Sequence, residues 1–228
     1  GISVIFKKGK KIEIPQEDIN VYDVTGAGDT FMGILSYMIS KNIDLVTSLK
    51  ISSLACIKVV QKKHTAILKF NEFQKLIEEF CYDNFLNLEL KIKLWKLARF
   101  KIGVTNGCFD ILHSGHLHLL SVAKKNCDKL IVLVNSDSSI KKIKGKRRPI
   151  LKLKKRIELI KMIKNVDDVQ YFSENTPEKS LSKILPDILF KGSDYKITEV
   201  IGRKLITNNG GKIKIIKKLK NFSSSNLI

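Results

Sequence analysis

The sequence predicts an α/β protein whose C-terminal part is built on a parallel sheet. From Arg99 onward, short apolar segments with strand character alternate with helical segments, which is typical of parallel strands joined by crossover helices. Strands are expected at 101–106, 129–135, 168–172, 187–191 and 212–216, and helices at 115–127 and 152–163. Ligands of such sheets bind beyond the carboxyl ends of the strands, so polar residues that follow a strand are the first candidates for a site.

The chain divides into three segments. Residues 1–80 contain two short strands, a glycine loop and helices, residues 81–98 have the pattern of a connecting helix, and residues 99–228 form the α/β unit. A piece of about 80 residues is smaller than a usual domain. We therefore expect residues 1–80 to be part of a domain rather than a whole one.

The composition limits the classes of partner. The formal net charge is +20, yet all but five of the 42 basic residues are lysines, and clustered arginines with interleaved aromatic residues are missing. A chain rich in lysine and isoleucine is what translation of an AT-rich gene produces, so we expect no specific nucleic-acid partner. The sequence has no apolar run of membrane-spanning length and no secretory signal pattern, which predicts a cytoplasmic protein without membrane insertion.

The cysteines indicate neither a disulfide framework nor a metal site. Cys56, Cys81, Cys108 and Cys127 are scattered along the chain without a CxxC pair. We expect reduced thiols and no metal ion held by the protein itself.

The segment 103–116 carries most of the chemistry. Its sequence, GVTNGCFDILHSGH, leads from an apolar strand through a glycine turn into a helix. Gly107 lets the backbone turn tightly, and Gly115 lets a phosphate approach the first amides of the helix, where the helix dipole favours negative charge. His113 and His116 would then direct two donors at that phosphate. A place in the core is the alternative for His116, because it also lies on the apolar face of its helix.

Residues 113–116, HSGH, resemble the HxGH signature of the nucleotidyltransferase superfamily, whose domain is a Rossmann-like α/β sheet. The resemblance implies that an oxygen of an acceptor phosphate attacks the α-phosphorus of a nucleoside triphosphate and that pyrophosphate leaves. It also implies that the nucleotide site is lined by Asn106, Gly107, Phe109 and Gly115.

The basic segment, residues 141–156, follows the second strand of this unit and contains ten basic residues and no acidic one. Such a run is usually a solvated face, but its place beside the strand ends also suits a lid over a triphosphate. In the superfamily a lysine here contacts the phosphates, which implies Lys144 as the catalytic lysine and Lys146 as the second candidate. Asp137 and Arg156 are further expected nucleotide contacts, although Arg156 equally suits an ordinary position on an amphipathic helix.

Residues 191–196, KGSDYK, resemble an element of the ADP-heptose synthases, bacterial enzymes that adenylylate a heptose 1-phosphate for the lipopolysaccharide inner core. The resemblance implies that Lys191, Gly192, Asp194 and Tyr195 bind substrate. A plain turn is the alternative.

Three serines near the C-terminus extend the resemblance. Ser223, Ser224 and Ser225 resemble the element that opens the last helix of the superfamily, where hydroxyl groups bind the β- and γ-phosphates. A frayed serine tail is the alternative. The motifs of residues 99–228 together imply transfer of AMP from ATP to a heptose 1-phosphate, with Mg²⁺ entering together with ATP.

A second motif lies in the N-terminal segment. Residues 23–31, DVTGAGDTF, resemble the C-terminal signature of ribokinase-like sugar kinases. The resemblance implies Gly26, Ala27 and Gly28 as an anion hole and Asp29 as the base that deprotonates a sugar hydroxyl. Because the sugar site of that family lies upstream of this signature, we expect a truncated kinase fragment with a vestigial site. A separate chain that completes the kinase is the alternative.

Two other functions are compatible with the sequence. One is a cytidylyltransferase acting on a polyol phosphate such as glycerol 3-phosphate, which the KGSDYK segment disfavours. The other is a decayed, non-catalytic binding protein with a basic surface, which the intact histidines and serines disfavour. A homo-oligomer is compatible with all of these functions.

Overall fold

The computed structural model describes residues 1–7, 9–15, 19–63, 66–193 and 196–217 of the chain. The chain forms two compact units, Gly1–Arg99 and Phe100–Ile228. Each unit has its own secondary structure and its own buried apolar residues.

The first unit contains a hairpin followed by helices. Strand β1 (Ile2–Ile5) pairs antiparallel with β2 (Lys11–Ile14). The helices are α1 (Ala27–Ser40), α2 (Leu45–Val60), α3 (Phe70–Asp83) and α4 (Leu88–Leu97). A connecting helix was expected over 81–98; in the structure α3 ends at Asp83 within this range, and α4 covers Leu88–Leu97. Asn87 explains the second start, because its side chain caps α4 by accepting a hydrogen bond from the amide of Leu90 at 2.9 Å.

The second unit alternates strands and helices along the chain. Its elements are β3 (Ile102–Gly107), α5 (Ser114–Lys124), β4 (Lys129–Asn135), α6 (Asp137–Lys144), α7 (Leu153–Lys161), β5 (Asp168–Phe172), α8 (Glu178–Ile184), β6 (Ile188–Gly192), a 3₁₀ turn (Ile197–Glu199), α9 (Arg203–Asn208) and β7 (Lys212–Ile216). Every expected strand lies within one residue of an observed one. The helices are shorter than expected, and α5 ends at Lys124.

The described strands of this unit form one parallel sheet in the order β5-β4-β3-β6-β7. The predicted α/β class with a parallel sheet is therefore confirmed. From β3 the chain builds β4 and β5 on one side, then crosses back to add β6 and β7 on the other. The direction of winding thus reverses beside β3, and at such a switch point the loops beyond the strand ends diverge and leave a crevice.

The core of the second unit lies on both faces of this sheet. Its strands contribute Val132, Val134 and Phe190, which are fully buried, and the helices cover them with residues such as Leu120 of α5 and Ile160 of α7. Strands buried on both faces are continuous apolar runs in the sequence. This is why the strands were predictable and why polar groups concentrate at the strand ends.

Close packing across β3 leads to a first prediction, for Gly103→Ala. A methyl group at residue 103 would lie 2.6 Å from Sγ of Cys127 and 2.6 Å from the ring of Phe190. We expect the free energy of unfolding, measured by urea denaturation, to fall by about 1–3 kcal/mol because the core is overpacked. Gly33→Ala on α1, where a methyl group meets nothing within 4 Å, is the control and is expected to be neutral or slightly stabilising. Equal unfolding midpoints for the wild type and Gly103→Ala would contradict this packing.

Candidate active site

Two histidines lie side by side where β3 leads into α5. His113 directly precedes the helix in extended conformation, and its carbonyl accepts a hydrogen bond from the amide of His116 at 2.9 Å. The two imidazole rings are 3.9 Å apart between centroids. His116 also lies 5.0 Å from the ring of Phe109, and both histidines are half-buried rather than enclosed. The structure thus places two imidazoles together at the N-terminus of an 11-residue helix.

A tight turn between β3 and α5 positions these histidines. Phe109 adopts a positive φ of 46°, and its ring folds back under Gly107, where a Cβ would lie only 3.2 Å from a ring carbon. The absence of a side chain at Gly107 therefore leaves space for the Phe109 ring. The ring is 3% exposed and belongs to the core cluster. The side chain of Phe109 therefore packs into the core beneath the turn, and the expected contact of this residue with a nucleotide stays a prediction.

Buried polar atoms surround the start of α5. Among the described residues, Oδ1 of Asn106 and Oγ of Ser114 are buried and have no hydrogen-bond partner. Asn106 lies next to the last residue of β3, and Ser114 and Gly115 are the first two residues of α5. Buried polar groups in folded proteins are nearly always hydrogen-bonded, and the first amides of a helix attract anions. This environment suits a ligand that brings phosphate oxygens and hydrogen-bonding groups.

Arg156 connects the strand ends beneath the site. Its side chain is fully buried and donates four hydrogen bonds, to the carbonyls of Cys108 (2.7 Å), Asn135 (2.8 Å) and Leu151 (3.0 Å) and to Oδ1 of Asp137 (2.7 Å). The guanidinium is therefore occupied by protein acceptors. Arg156 thus holds together the elements that form the site, and its expected contact with a phosphate stays a prediction.

Asp137 begins α6 two residues after the end of β4, and Ser136 caps the helix between them. Partial burial alone would raise the pKa of its carboxyl group, but hydrogen bonds from Arg156 and from the amide of Leu153 outweigh it and lower the pKa below the ordinary value. The group is accordingly ionised at neutral pH and paired with Arg156. Its contact with a nucleotide stays a prediction.

Lys144 and Lys146 lie at the exposed part of the basic segment. Lys144 is the last residue of α6 rather than a loop residue, and Gly145 follows it with a φ of 96°. In the described part of the chain, no hydrogen bond or ion pair engages the side-chain amine of either lysine. The positive charge of Lys144 acts on Cys108, where burial raises the pKa of the thiol and the lysine charge opposes this effect. The structure thus brings Lys144 near the turn that carries the histidines.

Lys191 and Gly192 end strand β6, which neighbours β3 at the centre of the sheet. Lys191 is 6% exposed, and burial lowers the pKa of its amine to about 8. A buried amine at a carboxyl strand end has to be compensated by a negative group when it is charged. Five expected site residues, Asp194, Tyr195, Ser223, Ser224 and Ser225, lie outside the described residues.

Sequence reasoning missed Asp110, which lies in the same turn as Phe109. Its carboxyl group is buried and accepts hydrogen bonds from Arg148, from the amide of Ile150 and from the amide of Leu151. The one signal for it in the sequence was a charged residue within the apolar run Cys-Phe-Asp-Ile-Leu. Nothing in the sequence indicated that its hydrogen-bond donors would come from residues about 40 positions further along the chain.

The kinase-like motif opens helix α1 in the first unit. Gly26 precedes the helix with a φ of 82°, and its carbonyl accepts the amide of Thr30 at 2.9 Å. Ala27 and Gly28 form the first helical residues, and Asp29 lies exposed in the first turn. In the described residues of this unit, no hydrogen bond or ion pair positions the Asp29 carboxylate.

Neither a metal cluster nor a membrane helix is found in the described ranges. No group of three or more His, Cys, Asp or Glu residues there could hold a metal ion. No helix there is long and apolar enough to cross a membrane.

Known proteins resemble both units. The model of a cytidylyltransferase-like family matches residues 104–228, and the model of the pfkB family of carbohydrate kinases matches residues 3–70. The bifunctional protein HldE of Nitrobacter hamburgensis is 36% identical over 236 residues, and that of Rhodopseudomonas palustris strain BisB5 is 34% identical. Each alignment covers 100% of this chain and 48% of the relative, so the chain spans about half the length of these relatives.

Among solved structures, the lipopolysaccharide core biosynthesis protein from Thermoplasma volcanium is 34% identical, with a TM-score of 0.46. The alignment covers 54% of this chain and 99% of that one. The sequence matches confirm the two resemblances seen in the motifs, to nucleotidyltransferases after Arg99 and to carbohydrate kinases before it.

The buried amine of Lys191 leads to a second prediction. Its pKa of about 8 in the folded chain lies below the ordinary 10.5, so the unfolded chain binds more protons between these values and stability rises with pH across the window. We expect Lys191→Met to be more stable than the wild type by about 3 kcal/mol at pH 7, with the difference vanishing toward pH 10.5. Urea denaturation at several pH values measures this difference.

Lys154→Met, which removes an exposed lysine of α7, serves as the control and should differ little from the wild type at any pH. If the free energies of unfolding of Lys191→Met and the wild type differ by the same amount from pH 7 to pH 10.5, the lowered pKa of Lys191 is contradicted.

Proposed function

This chain belongs to the cytidylyltransferase-like family, and we propose that it transfers AMP from ATP to D-glycero-β-D-manno-heptose 1-phosphate. The products are ADP-heptose, a precursor for the lipopolysaccharide core, and pyrophosphate. The choice of acceptor is supported by the KGSDYK segment and by the HldE relatives, whose alignment extends over the whole chain.

The observation that carries the proposal is the polar cluster at the start of α5. The adjacent imidazoles of His113 and His116 lie there beside the buried oxygens of Asn106 and Ser114. This cluster stands at the carboxyl edge of the parallel sheet, next to the switch point, where nucleotides bind in folds of this type. A phosphate group at this position would accept hydrogen bonds from the first amides of the helix and from the imidazoles of His113 and His116.

The proposed reaction proceeds by direct displacement. An oxygen of the sugar 1-phosphate attacks the α-phosphorus of ATP in line, the bond from this phosphorus to the bridging oxygen of the β-phosphate breaks, and pyrophosphate leaves. Negative charge builds up on the transferring group, and His113 and His116 stabilise it as preorganised donors. Lys144 and Lys146 supply positive charge for the β- and γ-phosphates, and we assign Ser223–Ser225 to the same task.

The hydrogen bonds of the acidic side chains near the site support the proposal that Mg²⁺ enters together with ATP and is not held by the protein. Asp110 and Asp137 already accept hydrogen bonds from Arg148 and Arg156, so their oxygens are committed to the protein. Mg²⁺ would neutralise phosphate charge while phosphate oxygens and water hold it. The protein residues supply the orientation of the triphosphate.

A pyrophosphate-release assay tests the proposed function. The purified chain is supplied with ATP or CTP, each in combination with heptose 1-phosphate or glycerol 3-phosphate. We expect release with ATP and heptose 1-phosphate. Preference for CTP and glycerol 3-phosphate would identify a polyol-phosphate cytidylyltransferase, and no release with any pair would indicate a non-catalytic protein.

A third prediction concerns the histidines. We expect His113→Ala and His116→Ala to lower turnover by about 10²- to 10³-fold, because each removes one preorganised donor to the transferring phosphate. Thermal unfolding followed by circular dichroism should change little. His118→Ala, two residues further along α5, is the matched control and should keep its turnover. If His116→Ala unfolds the unit while the folded remainder keeps full activity, His116 is a core residue.

A fourth prediction concerns the kinase-like motif. We propose that the 228-residue chain does not phosphorylate a heptose 7-phosphate at O1, because Asp29 is exposed and a base acts only on a hydroxyl held beside it. Radiolabelled ATP with heptose 7-phosphate measures this activity, with the adenylylation assay as the control for active protein. Kinase turnover that disappears in Asp29→Asn would show that the first unit is a working kinase site.

A further inference from the structure

A buried carboxylate links the turn that carries the histidines to the basic segment. Asp110 lies three residues before His113, and its side chain is 1% exposed. Its Oδ2 accepts a hydrogen bond from Nη1 of Arg148 at 2.9 Å, and its Oδ1 accepts the amides of Ile150 at 2.7 Å and Leu151 at 3.3 Å. One cation and two amides are a donor set that compensates a buried negative charge.

The same part of the basic segment is held from a second side. Nε of Arg156 donates to the carbonyl of Leu151, while Nη1 of the same guanidinium donates to the carbonyl of Cys108, two residues before Asp110. Residues 148–151 are therefore attached to the turn 108–110 by direct bonds and through Arg156. The position of the basic segment is thus determined by the turn that also places the histidines.

These contacts lie next to the exposed lysines of the segment. Lys146 is two residues before Arg148, and Lys144 ends α6 just before Gly145. Long lysine side chains stabilise a triphosphate only when their backbone is held at a suitable distance, and ordering a free loop at the moment of binding costs conformational entropy. Contacts that exist before the nucleotide binds remove this cost.

We propose that Asp110 is a positioning residue for the nucleotide: through Arg148 and the amides of residues 150 and 151, it holds Lys144 and Lys146 beside the histidines. The inference rests on the proposed use of ATP at this site. Asp110 does not touch the substrate itself in this arrangement, because both carboxylate oxygens bind the basic segment and the side chain is closed off from solvent. Its effect is transmitted by the backbone that carries the lysines.

Two variants separate the charge of Asp110 from its role as an acceptor. Asp110→Asn keeps an oxygen for the amides but loses the ion pair with Arg148, and Asp110→Ala loses all three bonds. Asp167→Asn is the matched control. Asp167 also combines an ion pair, with Lys124 at 2.6 Å, and a backbone amide, that of Leu130 at 2.7 Å, but it lies at the amino edge of the sheet.

The fifth prediction is a selective loss of nucleotide affinity. We expect the KM for ATP to rise about tenfold in Asp110→Asn and about a hundredfold in Asp110→Ala, with a smaller decrease in kcat, because the lysines are no longer held in place. The KM for heptose 1-phosphate should change little. Asp167→Asn should lower the thermal midpoint and leave the KM for ATP unchanged. If the Asp110 variants lose only stability and keep the wild-type KM for ATP, Asp110 is merely structural and the proposal is overturned.

Hydrogen exchange distinguishes failure of this inference from failure of the proposed function. Mass spectrometry of the substrate-free chain should show faster exchange in peptides that cover residues 148–152 of both Asp110 variants, and calorimetry should show weaker ATP binding. Neither measurement needs the acceptor, so a wild type that does not use heptose 1-phosphate leaves both valid. Unchanged exchange overturns the proposal, and if Asp110→Ala does not fold, Asp110→Asn and Arg148→Gln provide the same comparison.

Discussion

The buried guanidinium of Arg156 is the interaction on which the geometry of the second unit depends. The last carbonyls of parallel strands point beyond the sheet and have no further strand residue to bind them, yet a buried carbonyl requires a donor. Arg156 supplies donors to the carbonyls of Cys108 and Asn135, which follow or end the neighbouring strands β3 and β4. Removing one member of such a buried charged network costs about 3–5 kcal/mol, because its partners stay buried without compensation. The hydrogen bonds of Arg156 therefore hold the strand ends that carry the site.

Side chains of opposite charge bind the free backbone groups at the two ends of the strands. At the amino edge, the carboxylates of Asp128, Asp167 and Asp187 accept the amides of Lys101, Leu130 and Ile102, each at 2.7 Å. At the carboxyl edge, the free backbone groups are carbonyls, and the guanidinium of Arg156 binds those of Cys108 and Asn135. This buried cation thus lies at the same edge as the positive N-terminus of α5. The chemistry of the sheet itself makes this edge suited to a polyphosphate.

Much of the fold could be predicted from the sequence because strands and helices leave local patterns of apolar and polar residues. The central strands of the second unit are mainly apolar, whereas the edge strands β5 and β7 alternate with polar residues, and all of them were predicted to within one residue. Helix ends were harder, since they depend on single capping side chains such as Asn87. Within the site, the spacing of His113 and His116 identified their turn without knowledge of any distant partner.

The rest of the site depends on contacts that no local pattern contains. The helical periodicity around Arg156 indicates an amphipathic helix, but it does not show that the guanidinium points inward to four acceptors from distant segments. The resemblance named Phe109 as a nucleotide contact without showing that its φ is positive and that its ring packs into the core. Asp110 acquires its role only when residues 148–151 fold back onto it.

The strong positive charge of the chain consists of two physically different parts. Lysine is a compact cation whose donors surround one atom, and at exposed positions such as Lys144 and Lys146 it acts through charge alone. Arginine presents several donors in a plane, which lets Arg156 reach four acceptors and lets Arg148 pair with a buried carboxylate. Only five arginines occur in the chain, and these two form the framework of the site. Net charge therefore describes the surface of this protein, whereas the arrangement of the proposed site depends on two planar cations, the buried Arg156 and the partly exposed Arg148.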